Sequence, residues 1–376
     1  TRDAALNWSK EYAGTLEKAG FAQGRSNPCL FRNEKTNVSI MVHGDDFVAV
    51  GSEENLKTTR AVLEDKYKIK VEVLGTKEGQ SPELRILNKV VRVTKEGVEL
   101  EADPRHAEIF VKQMGVDSKK SKTVSTPGTK EADYADDRPL EGDKGFLFRS
   151  CTMRLAYLAQ DAPHLQYCVK ESARHMASPT VGAMQRLKRI ARFLVGNPRC
   201  VQRMYEQDAV KHFSVNVGSN FAGCLQTRKS TSSVYLFHGN HLLRSSATTQ
   251  GAVTLSTGEA EFAALVKGAS VGFGAVSMAR DWGLEMGLHV YTDSSAAKGI
   301  ASRRGAGKIR HLHTALLWVQ GRVADKSMRI FKVRGDDNVA DLGTKHLGRN
   351  LMDKHLASCG FTFESGESSM NLKAAL

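Results

Sequence analysis

The sequence predicts an α+β protein with more than one domain. The chain has 376 residues, 41% of them hydrophobic and 25% charged, which suits a globular chain of two or three domains. Apolar residues alternate along short runs near the N-terminus and again beyond residue 210, as in half-buried strands. Between these regions, residues 146–193 have helical spacing, so strand-rich and helical segments follow one another along the chain.

The N-terminal part begins with a helical pattern in residues 4–20. Two alternating apolar runs follow on either side of Asp45 and Asp46, and they predict a β-hairpin with both acids at its tip. Residues 53–67 again have helical spacing, and residues 84–102 are predicted to form a β-ribbon that turns at the tripeptide KEG. The pattern therefore predicts a small α/β unit that carries two adjacent carboxylates.

The adjacent carboxylates lie in the stretch VSIMVHGDDFVAVGS, residues 38–52. Neighbouring like charges repel, so a fold gains from holding them together only where a cation or a basic partner compensates. Asp and Gly are also favoured in turns, where water solvates the charge. A cation site and a solvated turn therefore both stay open for Asp45 and Asp46 on these residues alone.

The middle of the chain predicts a linker followed by a helical module. Residues 126–145 are rich in proline, glycine and acids, which is typical of a linker. The helical region after it is interrupted at Pro163 and Pro179. The module therefore contains several short helices.

The helical module ends in a strongly basic stretch. No acidic residue occurs in residues 172–205. A charge run is usually a solvated helix face, but an uncompensated basic stripe favours phosphate contact because it releases counterions from nucleic acid. The residues predicted to contact phosphate here are Arg186, Lys188, Arg189, Arg192 and Arg199.

The C-terminal region predicts an α/β layer pattern of three or more strands, a long helix, a strand and a further helix. Three acids fall at the ends of these elements: Glu261 in the first turn of the long helix, Asp293 at the end of the strand, and Asp341 at the start of a short terminal helix. Helix capping and the helix dipole would explain any one of them. Convergence of all three would favour a pair of divalent ions that cleaves a phosphodiester.

The overall charge favours a polyanionic partner. Lys and Arg number 54 against 41 Asp and Glu, a formal net charge of +13, so nucleic acid is the leading candidate and an anionic membrane surface the second. No run of about 18 apolar residues and no secretory leader is recognised, so we expect an intracellular protein without a membrane partner. Six cysteines without CxxC spacing predict neither a zinc site nor a disulfide framework.

A series of motifs, in one order along nearly the whole chain, resembles the Pol polyprotein of copia-type LTR retrotransposons. GFAQGRSNPCLF and VSIMVHGDDFVAVGS resemble the palm of the reverse transcriptase, although His-Gly stands where Tyr-Val usually precedes the acid pair. The stretches FRSCTMRLAYLAQDAPHLQYCVKESARHMASPT and RLKRIARFLVG resemble the thumb and connection. The ribonuclease H part is matched by TRKSTSSVYLFHG, LSTGEAEFAAL, VYTDSSAA, KIRHLHTALLWVQ and DNVADLGTKHL. An ordered series is far more specific than any one motif.

The resemblance implies a domain order. It predicts a partial reverse transcriptase palm in residues 1–125, a linker in 126–145, a helical thumb or connection in 146–205, an α/β ribonuclease H-like domain in 206–362 and a tail in 363–376. The implied substrate is an RNA–DNA hybrid or a template–primer duplex. The implied chemistry is RNA-directed DNA synthesis and RNA cleavage with Mg²⁺ or Mn²⁺.

The resemblance also assigns catalytic and metal-binding roles to the acids. It places Asp45 and Asp46 at the polymerase site, where we expect Asp45 to bind metal while Asp46 shapes the turn. It places Glu261, Asp293 and Asp341 at the ribonuclease H site. Basic residues near the second site are interpreted as phosphate contacts or as solvated side chains, and these are Arg303, Arg304, Lys308 and Arg310.

Two departures from the family pattern put activity in doubt. The palm carboxylate that an earlier strand supplies in this family has no counterpart in this sequence. The first ribonuclease H strand normally carries Asp-x-Asp, and Gly218 and Asn220 stand there instead. Asparagine can ligate a hard cation but brings no charge. We therefore expect impaired catalysis, and the alternative is a non-catalytic nucleic-acid-binding remnant of a decayed retroelement.

Overall fold

The structure, a computed structural model, describes residues 2–116, 121–130 and 135–366. Parts of the predicted linker (131–134) and of the predicted tail (367–376) lie outside the described residues. The helices are α1 (Arg2–Lys18), α2 (Glu53–Lys66), α3 (Pro104–Gln113), α4 (Lys144–Leu158), α5 (Pro163–Ala173), α6 (Val181–Gly196), α7 (Thr257–Asp281), α8 (Ser295–Ser302), α9 (Trp318–Ala324) and α10 (Arg349–Ser358). Short 3₁₀ helices occupy Thr314–Leu317, Gly335–Asp337 and Val339–Gly343.

The strands are distributed over three sheets. They are β1 (Ala22–Gln23), β2 (Leu30–Asn33), β3 (Val38–His43), β4 (Asp46–Val50), β5 (Glu83–Ile86), β6 (Lys89–Val93), β7 (Gly97–Ala102), β8 (Arg199–Tyr205), β9 (His212–Ser219), β10 (Thr231–His238), β11 (His241–Thr249), β12 (Gly287–Thr292), β13 (Met328–Lys332) and β14 (Phe361–Glu364). The α+β class predicted from the sequence is confirmed.

Contacts divide the chain into two compact units, and the first combines Thr1–Val73 with Val271–Gly287. Its sheet has the order β1-β2-β3-β4, and every pair in it is antiparallel. Val38, Ile40 and Val42 of β3 are all buried because alternate residues of a strand face one side. α1 and α2 pack on that side through Tyr12, Leu16 and Leu63, among other residues. The predicted hairpin around the acid pair is therefore present.

The second unit combines Leu74–Ser270 with Leu288–Leu376. One of its sheets is antiparallel with the order β14-β8-β7-β6-β5. The expectation of a wholly helical module up to residue 205 is wrong for Arg199–Tyr205, which forms strand β8 between β7 and β14. The α6 helix ends at Gly196, and Pro198 follows it, so the chain leaves the helix before this stretch.

Another sheet of the second unit has the order β11-β10-β9-β12-β13. The strands β9, β10 and β11 are antiparallel neighbours, whereas β12 and β13 are parallel. On one face, α7 approaches β9 so closely that a Cβ on Gly268 would lie 2.2 Å from Val217 Cγ1. On the other face, a Cβ on Gly343 would lie 2.3 Å from Ser233 Oγ. The 3₁₀ helix Val339–Gly343 is thus held against the sheet, on the opposite face from α7.

A single hydrophobic core connects the helical module to this sheet. It joins the inner sides of α4, α5 and α6 to Tyr235 of β10, Leu342 of the 3₁₀ helix, Leu356 of α10 and Phe361 of β14. Tyr235 is among the largest fully buried side chains. The helical module and the sheet that contains β10 therefore share apolar packing within one unit.

Helix α7 corrects an expectation about apolar runs. Among the described residues it is the one helix long and apolar enough to span a membrane, with a window of mean hydropathy 1.5 of which half is buried. The expectation that the chain contains no apolar segment long enough to span a membrane is therefore wrong by length and composition. Close packing of Gly268 against β9 gives the apolar composition a structural reason within the fold.

Candidate functional site

Three predicted acids from separate elements lie close together in the second unit. Glu261 is in the first turns of α7, Asp293 directly follows β12, and Asp341 is in the 3₁₀ helix Val339–Gly343. The backbone N–H of Ser219, at the end of β9, donates a hydrogen bond to Glu261 Oε1 over 3.0 Å. Repulsion between the carboxylates affects the protonation of Glu261 and of Asp293. The structure thus gathers the acids that sequence reasoning could only place at element ends.

Glu261 is the least solvated of the three acids. The residue is 7% exposed, and its Oε2 atom is buried without a hydrogen-bond partner among the described residues. Burial, together with repulsion from Asp293 and Asp341, raises the pKa of Glu261 to about 8, against the lowering effect of the Ser219 N–H. A buried carboxylate oxygen without a hydrogen-bond partner is costly, and a bound cation would compensate its charge.

Asp293 and Asp341 differ in their surroundings. Burial and the negative charge of Asp341 raise the pKa of Asp293 above its ordinary value. Asp341 Oδ2 forms an ion pair with Lys345 Nζ at 2.7 Å, one helical turn further along the chain. The Lys345 ammonium also lowers the pKa of both other acids, so it compensates part of the negative charge. Sequence reasoning missed Lys345, although its i,i+4 spacing from Asp341 is visible in the sequence.

Gly218, where the family resemblance implies a carboxylate, adjoins this cluster. Gly218 is in β9, and a Cβ there would lie 3.3 Å from Ala340 Cβ and 3.5 Å from Asn338 Nδ2. Asn220 is not available as a substitute ligand because its Oδ1 accepts from the Thr231 N–H at 2.6 Å and its Nδ2 donates to the Thr344 carbonyl at 3.0 Å. Both the oxygen and the nitrogen of the Asn220 side-chain amide therefore form hydrogen bonds within the protein.

The donor set fits a hard divalent cation in kind but is incomplete as a cage. Carboxylate oxygens are the ligands that Mg²⁺ and Mn²⁺ prefer, and the partnerless Glu261 Oε2 is such an oxygen. Within residues 2–116, 121–130 and 135–366, however, no group of three or more His, Cys, Asp or Glu side chains is arranged to hold a metal ion. The charges of Glu261, Asp293 and Asp341 are thus close enough to interact, but the three side chains are not a preformed set of metal ligands.

The raised pKa of Glu261 predicts a stability loss on raising the pH of the ion-free protein. Unfolded glutamate titrates near pH 4, so between about pH 4 and pH 8 the folded chain retains a proton that the unfolded chain has released. The free energy of unfolding should therefore fall as pH rises through this window, by as much as a few kcal/mol. Urea titrations at several pH values in chelator measure the slope.

The control for this pH prediction is Glu261→Gln. Glutamine has no titratable group, so the free energy of unfolding of this variant should fall less steeply with pH than that of the parent. Glu285→Gln removes a largely exposed carboxylate and should leave the slope of the parent chain unchanged. Addition of Mg²⁺ at pH 8 should restore stability to the parent by binding the folded state. A parent and a Glu261→Gln chain with parallel pH profiles would contradict the prediction.

The other predicted acid pair is at the tip of the hairpin in the first unit. Asp46 opens β4 opposite His43, and Asp45 lies in the turn beside Gly44, which adopts a φ of +60°. Trp8 Nε1 donates to the Gly44 carbonyl at 2.8 Å and fixes the tip against α1. Both acids are exposed, and no cationic side chain among the described residues pairs with either carboxylate. The solvated-turn and cation-site interpretations both remain compatible with this placement.

The predicted basic stripe on α6 is only partly presented to solvent. Lys188 is exposed and Arg192 is half-buried, whereas Arg186 is only 8% exposed. Arg189 Nη2 donates to Thr126 Oγ1 at 3.0 Å. The hydrophobic face of α6 is wide, so it buries residues that helical spacing alone assigns to the basic face.

The expectation of an uncompensated charge is wrong for Arg199. Its Nε atom lies 2.7 Å from Glu101 Oε1, and its Nη1 lies 3.1 Å from Glu364 Oε2. Both acids are distant in sequence but adjacent in the sheet, since β8 pairs with β7 and β14. Arg199 therefore serves the packing of this sheet, and a count of acids along the local sequence could not reveal its partners.

The basic residues after α8 form an exposed segment near the start of α7. Arg304, Lys308 and Arg310 are exposed, while Arg303 Nη2 donates to the Ala306 carbonyl at 2.5 Å. His311 Nε2 lies 3.0 Å from Glu259 Oε2. Burial alone would raise the pKa of Glu259, but His311, the Leu255 N–H and Ser256 outweigh it and lower that pKa.

Glu259 is a residue that sequence reasoning did not single out. Its carboxylate accepts from Leu255 N and Ser256 Oγ, and the Ser256 hydroxyl in turn accepts from the Glu259 N–H. The Ser-x-x-Glu spacing of a capping box was the available signal. Together with His311, this arrangement connects the basic segment to the helix that carries Glu261.

The fold and the acid cluster define a chain related to the Pol polyproteins of transposons, and the resemblance to the copia type is confirmed. Similar proteins are the retrovirus-related Pol polyproteins from transposons RE1 and RE2 of Arabidopsis thaliana, each 22% identical, over 368 and 360 residues, which are 96% and 93% of this chain. The Pol polyprotein from transposon TNT 1-94 of Nicotiana tabacum is 23% identical over 372 residues, 94% of this chain. This chain spans only 24% to 27%, about a quarter, of these relatives. No family model matches it.

Among solved structures, similar chains include a foamy viral protease-reverse transcriptase in complex with an RNA/DNA hybrid and the ribonuclease LC11-RNase H1. The first has a TM-score of 0.45 at 11% identity and covers 79% of this chain and 36% of its own. The second has a TM-score of 0.27 at 15% identity and covers 39% of this chain and 99% of its own.

Proposed function

We propose that this chain is a nucleic-acid-binding fragment of a retrotransposon Pol polyprotein that cleaves the RNA strand of an RNA–DNA hybrid weakly, with Mg²⁺ or Mn²⁺. The observation that carries the proposal is the buried Glu261 carboxylate, whose Oε2 has no partner among the described residues and lies near Asp293 and Asp341. Burying negative charge in this way is costly unless a cation compensates it. The relationship to Pol polyproteins supports a hybrid as the substrate.

The chain's own residues would act by holding and orienting. When bound, a divalent ion would polarise a phosphoryl oxygen and lower the pKa of a bound water. Glu261, Asp293 and Asp341 would hold it, and the Ser219 N–H keeps Glu261 Oε1 oriented. The exposed Arg304, Lys308 and Arg310 would bind phosphates of the substrate and position its backbone.

Hydrolysis is weak in this proposal because one position of the ligand set lacks a carboxylate. Gly218 offers no oxygen, and the Asn220 amide is engaged by Thr231 and Thr344. Two-metal catalysis needs enough carboxylates to offset two divalent ions, and three with a lysine at one of them do not suffice. A second ion would therefore bind poorly.

The second candidate is a non-catalytic nucleic-acid-binding remnant. It is favoured by the ion pair between Lys345 and Asp341, which places a protein cation where a ligand oxygen would otherwise face the metal. In that case the basic residues would retain a role in binding nucleic acid, and the acids would contribute only to the fold.

A hybrid binding and cleavage assay separates the two candidates. Cleavage of a labelled RNA–DNA hybrid is measured for this chain and for Asp293→Asn, with Mg²⁺ and with Mn²⁺. We expect both to bind hybrid and the parent alone to cleave slowly. Equal background in parent and variant would favour the remnant, and fast cleavage by the parent that Asp293→Asn abolishes would contradict the proposed impairment.

The same proposal extends to the remaining features of the chain. Asp45 and Asp46 would be part of a polymerase metal site. The division into a palm (1–125), a thumb or connection (146–205) and a ribonuclease H-like domain (206–362) remains part of the proposal. So does an intracellular location, in the cytoplasm or the nucleus.

A further inference from the structure

One sheet face of the second unit carries a continuous row of aromatic rings that the proposed chemistry does not use. The ring centroids of His212 in β9 and His289 in β12 are 4.0 Å apart. His289 and Phe331 in β13 are 4.9 Å apart, and Tyr291 stacks on Phe331 at 5.3 Å with an interplanar angle of 23°. These four residues, which we name the ring ladder, cross three neighbouring strands.

The register of the strands places the ladder on one side of the sheet. Tyr291 pairs directly with Phe331, and His289 with Arg329, in the parallel pairing of β12 with β13. The alternate residues Leu288, Val290 and Thr292 are buried. Since successive strand residues point to opposite faces, the rings lie on the face away from those buried residues. Phe331 is 37% exposed there.

The charge of this face is complementary to a polyanion. The residues of β9, β12 and β13 that share the ladder's face are His212, Ser214, Asn216, His289, Tyr291, Arg329 and Phe331, and none is acidic. Arg329 is exposed, and no carboxylate among the described residues pairs with it. Burial, His212 and Arg329 lower the pKa of His289, which favours the neutral form of its flat ring.

The position of the ladder suits a strand that passes the acid cluster. His212 and Gly218 are six residues apart on β9 and face the same side of the sheet, which separates them by roughly 20 Å at about 3.3 Å per residue. A single strand whose bases stack on the rings would extend along this face toward the acid cluster. A duplex has its bases stacked internally and cannot use the rings.

We propose that the ring ladder of His212, His289, Phe331 and Tyr291, together with Arg329, is a binding site for single-stranded nucleic acid. The bases stack on the rings, and Arg329 contacts the backbone phosphates. The site is separate from the proposed hydrolytic activity, because its four rings and Arg329 are residues other than Glu261, Asp293 and Asp341 and no metal takes part.

The test is binding of a fluorescein-labelled thymidine strand of about twelve nucleotides to the full chain, measured by anisotropy at fixed salt. Phe331→Leu keeps an apolar side chain but removes the π surface, and it should weaken binding by about 5- to 150-fold. Phe331→Trp should retain binding. Tyr205→Leu removes a ring that is 51% exposed on β8, in another sheet, and should bind like the parent.

A second measurement does not depend on the variants folding. Photocrosslinking of the parent chain to a strand with 5-iodouracil should label the peptides that contain Tyr291 or Phe331. Crosslinks confined to other peptides, or equal affinity of Phe331→Leu and the parent, would overturn the proposal. So would a dimer in sedimentation that Phe331→Leu dissociates, since the face would then be an interface between copies.

Discussion

Replacement of Gly218 by aspartate is expected to raise cleavage of the RNA strand in a hybrid by about 100-fold or more. The Cβ position lies 3.3 Å from Ala340 Cβ and 3.5 Å from Asn338 Nδ2, so Ala340 needs to give by a few tenths of an ångström to admit the Cβ atom itself. Gly218 has no positive φ, so a side chain brings no backbone strain. A metal ion contributes several kcal/mol of charge stabilisation, and 1.36 kcal/mol corresponds to tenfold in rate.

The controls for Gly218→Asp isolate the charge. Gly218→Asn has nearly the same size without the negative charge and should leave cleavage at the parent level. Asp293→Asn in the Gly218→Asp background should return cleavage to background. Single-turnover rates with Mg²⁺ and with Mn²⁺ give the comparison. If Gly218→Asp folds, binds hybrid and still cleaves no faster than Gly218→Asn, the account of a missing ligand is wrong.

Replacement of Glu101 by glutamine is expected to lower the free energy of unfolding by about 1.5–3 kcal/mol. Glu101 is 4% exposed and accepts from two arginines, with Arg92 Nη1 at 2.7 Å and Arg199 Nε at 2.7 Å. Each arginine keeps a second acidic partner, Glu83 for Arg92 and Glu364 for Arg199, so the change weakens two charge-assisted hydrogen bonds without leaving either guanidinium group unpaired. The thermal midpoint should fall by a few degrees.

The pH dependence of Glu101 has the opposite sign to that of Glu261. Burial alone would raise the pKa of Glu101, but hydrogen bonds from Arg199 and Arg92 outweigh it and hold that pKa below its ordinary value. Its contribution to stability is therefore present above pH 4 and is lost as pH falls through the lowered pKa. Urea unfolding of the parent and of Glu101→Gln should converge in acid.

A neighbouring acid provides the control for Glu101. Glu96 is exposed in the turn before β7, and Glu96→Gln should change the free energy of unfolding by no more than about 0.5 kcal/mol. A Glu101→Gln chain as stable as Glu96→Gln would show that the arginines find other compensation.

Periodicity predicted most of the local structure correctly. The hairpin around Asp45 and Asp46 and the helix that begins near Glu261 follow from residues within one or two turns of one another. The stretch Arg199–Tyr205 was assigned to the helical module, yet it is a strand because β7 and β14 pair with it on either side. Such pairing partners are remote in sequence, so no local pattern identifies them.

The sequence predicted which residues belong to the candidate site but not their protonation. Glu261, Asp293 and Asp341 could be selected because they fall at element ends and match family motifs. Their protonation could not be predicted, since the pKa of Glu261 depends on burial and on charges brought together by folding. Asn220 could be considered as a ligand from the sequence, but in the structure its side-chain amide forms hydrogen bonds with the backbone of Thr231 and Thr344.

The sequence by itself determined which chemical groups are present: an α+β chain, two sets of acids, a glycine where the family resemblance implies a carboxylate, and a basic composition. Tertiary structure alone decided which charges are compensated and which rings are adjacent, as for Arg199 and Glu101, which are 98 residues apart. The physical reason is that periodicity records the direction in which each side chain points. Burial, ion pairing and ring stacking depend instead on contacts between segments that only folding brings together.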